Sequence, residues 1–382
     1  LAMQHATDHD LKRKRGRFNE REPRGGTATR VGGEHARSEP RGSLNHLGVA
    51  ASLSLTRERL GRAGSRGARV SDFAPLVRGP TSHRKRSVEL RDLLVVPDGR
   101  RGIRWLRRML DFAIRLEFAT IPPYLTAMWS IRDVGDPVAL FLSEIVRQEM
   151  LHMGLVCNLM NAVGGAARIA SRRTVPRYPT PLPGGVHPGL RVGLRRLSRR
   201  LVADVFMKIE SPENGPITWF RGQTYPTIGA FYSAIQRKLE RMTDADFAGG
   251  RQITLIREGF KLAPITTAQG ALDAVQVIKE QGEGTSGSPL FSGSTDDVAH
   301  YYRFGEIYHQ RLIKEISPGQ WCYCGDELPF PTDEGIYPMA AIPPHGYPES
   351  LPFDRLYTAM LRQLHAAWTL GGEEGGLQLI EA

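Results

Sequence analysis

The sequence predicts a mainly α fold: a four-helix bundle with accessory helices and an irregular carboxy-terminal cover. Three observations carry that expectation. From about Arg104, apolar residues recur at three- and four-residue spacing through long segments separated by Pro and Gly turns. Within those segments, Glu117, Glu149, His152 and Glu210 interrupt otherwise core-forming helical patterns. Beyond about Trp321 the chain turns rich in Pro, Gly and Tyr before a last helical pattern resumes.

With 382 residues and 41% hydrophobic content, the chain can bury the core of one large domain or two small ones. Its formal charge of +11 lies entirely in residues 1–86, which hold 19 Lys and Arg against 8 Asp and Glu, whereas the remaining 296 residues hold 32 of each. That stretch, with KRKRGRFNEREPRGG and GRAGSRGARV, has little sustained apolar periodicity. Residues 1–95 are therefore expected to be a mostly disordered basic extension, and residues 96–382 the helical domain with its cover. Nucleic acid is not expected as a partner, because nothing in the neutral body offers a groove to complement the basic arm. Three cysteines, Cys157, Cys322 and Cys324, are too few for a secreted disulfide framework, which points to a reducing compartment and the cytoplasm. No uninterrupted apolar run of about 18 residues occurs and no apolar leader opens the chain, so neither a membrane span nor export is expected.

The first long helix is RWLRRMLDFAIRLEFATIPPYLTAMWSI, in which Leu106, Leu110, Ile114 and Leu125 surround Glu117. Pro122 and Pro123 remove two backbone donors just after that acid and predict a kink or local break. The second helix runs from an Asp136 cap and Pro137 to Gly164 and Gly165, and it holds Glu144, Glu149 and His152. A third, LSRRLVADVFMKIESPE, repeats Leu197, Leu201, Val205 and Ile209 and ends near Pro212 with Glu210 in its last turn. TIGAFYSAIQRKLERM reads as an accessory helix opened near Thr227. ALDAVQVIKEQGEG ends with Glu280 and Glu283 one turn apart, and DDVAHYYRFGEIYHQRLIKEI follows with His300, Glu306 and His309. The Pro- and Gly-rich residues 176–189 form a loop, WCYCGDELPFPTDEGIYPMAAIPPHGYP forms the cover with short strands, and LPFDRLYTAMLRQLHAAWTL returns to helix.

The acids within these helices need a physical reason. Burying one polar group without a partner costs roughly 2 to 7 kcal/mol, and an unpaired charge more, so buried acids come in compensated sets. Glu117, the Glu149-x-x-His152 pair and Glu210 lie on three helices, and Glu283 with His300 completes a set from the two segments that follow. Four carboxylates and two imidazoles are the ligand inventory of a carboxylate-bridged dinuclear iron or manganese centre inside a four-helix bundle. Two alternatives stay open: Glu280 competes with Glu283, and Glu306 with His309 repeats the Glu-x-x-His spacing and competes with His300. His300 and His309 are nine residues apart, on opposite faces of one helix, so only one of them can serve a single centre.

Other chemistries fit worse. Cys322 and Cys324 have one residue between them, where zinc knuckles use at least two. GGLQL, GVHPGLRVG and GEGTSG lack the strand, turn and helix order of a phosphate or dinucleotide site, and no Gly-x-Ser-x-Gly elbow stands out.

The series LEFATIPPYLTAMWSI, EIVRQEMLHMGLVCNLMNAVGG, TIGAFYSAI, IKEQGEG, AHYYRFGEI and YPMA resembles the ferritin-like domain of the iminophenyl-pyruvate dimer synthase family, whose members act in violacein and indolocarbazole biosynthesis. The resemblance covers approximately Arg104 to Trp368. It implies a ferritin-like four-helix bundle with Glu117, Glu149, His152, Glu210, Glu283 and His300 as metal ligands. It further implies an oxygen-using oxidoreductase, probed most directly as a diiron oxidase or oxygenase, with two iron ions (manganese as the alternative) and a role in natural-product biosynthesis. The expected partners are O2, a small aromatic or amino-acid-derived substrate beside a wall of Phe118, Tyr124, Met128 or Met153, and an electron donor. Rival expectations are a metal-storage protein, a non-catalytic interaction module, and a mononuclear oxidase that keeps only Glu117, Glu149 and His152.

Overall fold

The computed structural model describes residues 90–187, 189–212, 227–257, 259–285, 288–292, 297–339 and 350–382. Residues 1–89 of the expected basic extension, and residues 340–349 of the cover, lie outside them. The first helix among the described residues is α1 (Leu90–Leu94), inside the span assigned to the extension, and it buries Leu90 and Leu93 in the core.

Helices α2 (Ile103–Trp129) and α3 (Pro137–Ala162) are joined by a short connection and pack along one another. Where the sequence predicts a kink or break, α2 continues as helix through Pro122 and Pro123. A proline leaves the carbonyl four residues earlier without its donor, and the Tyr178 hydroxyl fills that place by donating to the Ala119 carbonyl at 2.9 Å. The start of α3 follows its sequence signals: the Asp136 carboxylate accepts from the Val138 N–H at 2.8 Å and Pro137 takes the first turn. Gly164, at φ 69°, and the Gly165 N–H donating to the Met160 carbonyl at 2.8 Å close its far end.

Strands β1 (Thr180–Pro181) and β2 (Arg191–Val192) pair antiparallel across the Pro- and Gly-rich loop. Helix α4 is composite: the α-helical turns Arg199–Leu201 and Met207–Ile209 flank a π-helical stretch, Val202–Phe206. An inserted π residue rotates the following side chains by about 100° relative to an uninterrupted helix. Glu210, directly after α4, is buried. Next come α5 (Ile228–Leu239), capped by Thr227, the hairpin β3 (Leu255–Arg257) with β4 (Phe260–Leu262), and α6 (Ala268–Glu283), which ends at Gly284 with φ 81°. Helix α7 (His300–His309), the hairpin β5 (Lys314–Ser317) with β6 (Gln320–Cys322), α8 (Ser350–Leu370) and α9 (Gly372–Glu381) complete the described elements.

Helix α5 packs on α2 and α6, and α6 packs on α3, so these four close a ring around the core. Helix α7 packs on α3, α4 and α6. The helix read from sequence as accessory, α5, is thus one wall of the bundle. The cover is pinned to the end of α2 by hydrogen bonds from the Arg132 N–H to the Gly335 carbonyl at 2.9 Å and from the Tyr337 N–H to the Ser130 carbonyl at 2.7 Å. Among the described residues no helix is long and apolar enough to cross a membrane.

Asn158 shows how the carboxy-terminal helices attach. Its side chain is fully buried on α3, donates to the Ile253 and Ala263 carbonyls at 2.9 and 3.1 Å, and accepts from the Ile253 N–H at 2.9 Å and the Trp368 indole N–H at 3.0 Å. Every capacity of the amide is used. Asn158→Ala strands two buried donors and two carbonyls and is expected to lower stability by about 2 to 4 kcal/mol. Urea unfolding followed by fluorescence checks this, and a loss under about 1 kcal/mol would contradict it.

Candidate metal centre

Five polar side chains converge between α2, α3, α4 and α7. Glu117 comes from the middle of α2, Glu149 and His152 from one face of α3, Glu210 from the end of α4, and His300 opens α7. All five are buried, the most exposed being Glu210 at 7%. They fall into two groups with metal-ligand proximity, Glu117 with Glu149 and His152, and Glu149 with Glu210 and His300; within each group the ligand atoms lie within 4.8 Å of one another. Glu149 belongs to both.

The orientation of each group follows from what holds its outer side. Thr120, one turn after Glu117, donates its hydroxyl to Glu149 Oε2 at 2.6 Å. The Tyr232 hydroxyl from α5 donates to Glu117 Oε1, and the Tyr124 hydroxyl from α2 donates to Glu210 Oε1. The remaining oxygens face the histidines. His152 Nδ1 lies 3.6 Å from Glu117 Oε2 and 4.0 Å from Glu149 Oε1, and His300 Nδ1 lies 2.8 Å from Glu149 Oε1 and 3.7 Å from Glu210 Oε2. Each Nε2 instead meets a glutamine carbonyl oxygen, His152 with Gln281 Oε1 at 2.7 Å and His300 with Gln148 Oε1 at 2.8 Å.

These contacts give the donor set its chemistry. An amide oxygen accepts, so each Nε2 carries a proton, and in a neutral ring Nδ1 is then left with its lone pair facing carboxylates. His300 Nδ1 is buried without a hydrogen-bond partner. Two carboxylates about 4 Å apart repel by roughly 4 kcal/mol even at an effective dielectric constant near 20, so three in one buried site require cations between them. The residues therefore fit a pair of metal ions: three inward oxygens and two inward nitrogens, with hydroxyl and amide groups holding the outer atoms.

Without metal, protons take that place. Burial above all lifts the Glu117 carboxyl above its ordinary range, with the charge of Glu149 adding to the shift against the opposing contacts of His152 and Tyr232. Burial works against charge on His300, but the close approach and charge of Glu149 and then Glu210 outweigh it and raise that imidazole to about 10. Tyr124 and Tyr232 are raised by burial and by the neighbouring carboxylates, so both stay protonated and act as donors.

The remaining candidates lie elsewhere. Glu283, at the end of α6, is in neither group: its carboxylate sits against Gly229 of α5, where a methyl group would overlap it, and lines a small cavity of about 20 Å³ with Glu210, Ser211, Lys279 and Tyr232. Two residues earlier on the same helix, Gln281 is the side chain that reaches His152. Glu280 faces outward to Gln276 and Ser292. Glu306 is buried against Arg303 at 2.7 Å and the Ile313 N–H, and His309 stacks on Tyr323. Sequence reasoning missed Thr120, Gln148, Tyr232 and Gln281. Thr120 is three residues from Glu117 on a shared helical face and Gln148 adjoins Glu149, so those two had a local signal.

Because the raised Glu117 pKa makes its ionised form unfavourable in the metal-free fold, Glu117→Gln is expected to raise the unfolding temperature of chelator-treated protein at neutral pH. The gain should shrink as pH falls through the raised folded value and disappear below 4.5, the ordinary value for this carboxyl, where it is protonated folded or unfolded. Calorimetry across that range checks the sign, and a destabilised metal-free variant at neutral pH would contradict it.

The profile of the ferritin-like family matches residues 110–309, a span that contains all five converging residues. The crystal structure of a ferritin-like protein from Caulobacter vibrioides is similar in fold, with a TM-score of 0.50 and 24% sequence identity over 72% of this chain and 91% of that one. No curated protein matches the chain. The helical bundle and the extent of the family match together show that this chain belongs to the ferritin-like family.

Proposed function

We propose that the chain is a metal-dependent oxidoreductase that holds two ions, iron first and manganese as the alternative, and uses O2 on a small aromatic or amino-acid-derived metabolite. The observation that carries this reading is Glu149, shared by two ligand groups whose outer atoms are already held by other side chains. Within the ferritin-like family, the motif series favours the iminophenyl-pyruvate dimer synthase branch, and hence natural-product biosynthesis. In that setting an electron donor is a further partner.

Glu117 and His152 would hold one ion, Glu210 and His300 the other, with Glu149 between them. Two bound ions of variable valence supply the electrons and Lewis acidity that O2 chemistry needs. The chain's own residues set the conditions. Thr120, Tyr124 and Tyr232 fix one oxygen of each carboxylate and leave the other free to face inward. Gln148 and Gln281 fix the tautomers of His300 and His152.

Two small adjoining cavities, each with about 20 Å³ of room, lie beside the centre. One touches Glu117, Thr120, Glu149, His152 and Glu210 and takes its apolar surface from Leu116, Ile228 and Ile278. It shares Glu210, Ile228, Ile278 and Gly282 with the cavity that contains Ser211, Lys279 and Glu283. Phe118 and Met153, expected from sequence as the apolar wall, are buried and line neither; the same holds for Tyr124, which is occupied with Glu210. Glu283 is read here as a polar group of the outer cavity.

Elemental analysis of anaerobically loaded protein tests the assignment. About two ions per chain are expected in the native protein, about one in Glu117→Ala or Glu210→Ala, and almost none in Glu149→Ala, whose loss opens both groups. An oxygen-dependent change in the optical spectrum should follow the two-ion form alone. One ion per chain in the native protein, lost together with Glu117 but not with Glu210, would favour the mononuclear reading instead.

A further inference from the structure

The β5 and β6 hairpin, which follows α7, carries sulfur chemistry outside the metal centre. Cys322, the last residue of β6, is joined to Cys324 by a disulfide that encloses a single residue. The stabilisation a disulfide gives by restraining the unfolded chain grows with the length of the loop it closes, so this one does little as a staple. Tyr323, in the bend between the two cysteines, and the disulfide take different surroundings. Tyr323 faces α7: it stacks on His309 with ring centroids 4.4 Å apart, and a methyl group on Gly305 would overlap its ring. Of the disulfide, Cys324 is exposed and Cys322 half-buried.

Lys314 supplies a second, independent feature. It pairs directly across from Cys322 in the antiparallel register, so its ammonium group shares that face of the hairpin. A neighbouring cation stabilises a cysteine thiolate, which is the leaving group of thiol exchange. The third cysteine, Cys157, is fully buried, and burial pushes its thiol well above the ordinary range, so it takes no part.

We propose that Cys322 and Cys324 form a thiol–disulfide exchange site that accepts two electrons from an external dithiol. A donor thiolate attacks the exposed Cys324 sulfur, the bond between the two cysteines breaks, and Cys322 departs as a thiolate facing Lys314. The donor's second thiolate then attacks the donor sulfur of the mixed disulfide, releasing Cys324 and leaving the donor as its own disulfide. Two electrons pass from donor to protein, and the two donor protons end on the cysteine thiols. The site stands without the metal reading.

The test equilibrates the full chain with graded ratios of reduced and oxidised dithiothreitol. The sample is then acid-quenched and alkylated under denaturing conditions, and the peptide bearing Cys322 and Cys324 is weighed by mass spectrometry. Reversible passage of that peptide between no and two alkyl groups is expected, with Cys157 alkylated throughout. Lys314→Gln, an exposed substitution, should slow reduction several-fold, and Cys157→Ser should leave it unchanged. A pair that stays disulfide at every ratio until the chain unfolds, or stays dithiol at every ratio, overturns the proposal, as does an unchanged rate in Lys314→Gln. Metal content measured on anaerobically loaded protein before dithiothreitol is added separates the two readings, because exchange in protein that holds no metal after loading defeats the metal assignment alone.

Discussion

Three carboxylates and two imidazoles share one buried space, and the electrostatics of that crowding organise the bundle around it. Burial weakens solvent screening, so charge on any one of them must be answered by another group or by a cation. Among the described residues the ion pairs of these acids are made with His152 and His300, with no Arg or Lys among them. It holds the outer oxygen of each acid with a hydroxyl, from Tyr232, Thr120 and Tyr124, and the outer nitrogen of each imidazole with Gln281 or Gln148. The inner atoms then face one another. A fold selected only for stability would fill such a space with apolar side chains, since replacing buried ion sets by hydrophobic groups is often neutral or stabilising. Retaining the unfavourable arrangement is what directs the interpretation toward bound cations.

Much of the surrounding structure serves that geometry. The π-helical stretch of α4 changes the phase of the residues that follow, just before Glu210. Helix α5 brings Tyr232 against Glu117 and closes the ring of helices at the same time. Proline in the middle of α2 would ordinarily cost about 3 kcal/mol or more. Here the loop over α2 returns a hydrogen bond through Tyr178 to the Ala119 carbonyl, two residues beyond Glu117, and the helix stays continuous beside the centre.

The legible part of this site was the part written as contradiction. Glu117, Glu149 and His152 stand out because an acid or imidazole on an apolar helical face demands a partner, and the partners proved to be one another. Helical geometry allowed only one of His300 and His309 at a single centre, and the resemblance, rather than the spacing, pointed to His300. Glu283 shows the limit. Near a helix end, a two-residue difference decides which side chain points inward, and Gln281 reaches His152 while Glu283 meets α5. Tyr232 was invisible because its helix looked merely amphipathic, and nothing local reveals which tertiary neighbour a tyrosine hydroxyl will find. The π insertion was also silent, because Val202 to Phe206 are ordinary core-forming residues by composition.

The central claim is that Glu149 stands between two metal positions. Anomalous diffraction from crystals of iron-loaded protein, recorded on both sides of the iron edge, tests it most directly. Two peaks are expected, one on either side of the Glu149 carboxylate, the first beside His152 and the second beside His300. A single peak, or iron only at sites outside this pocket, would contradict it.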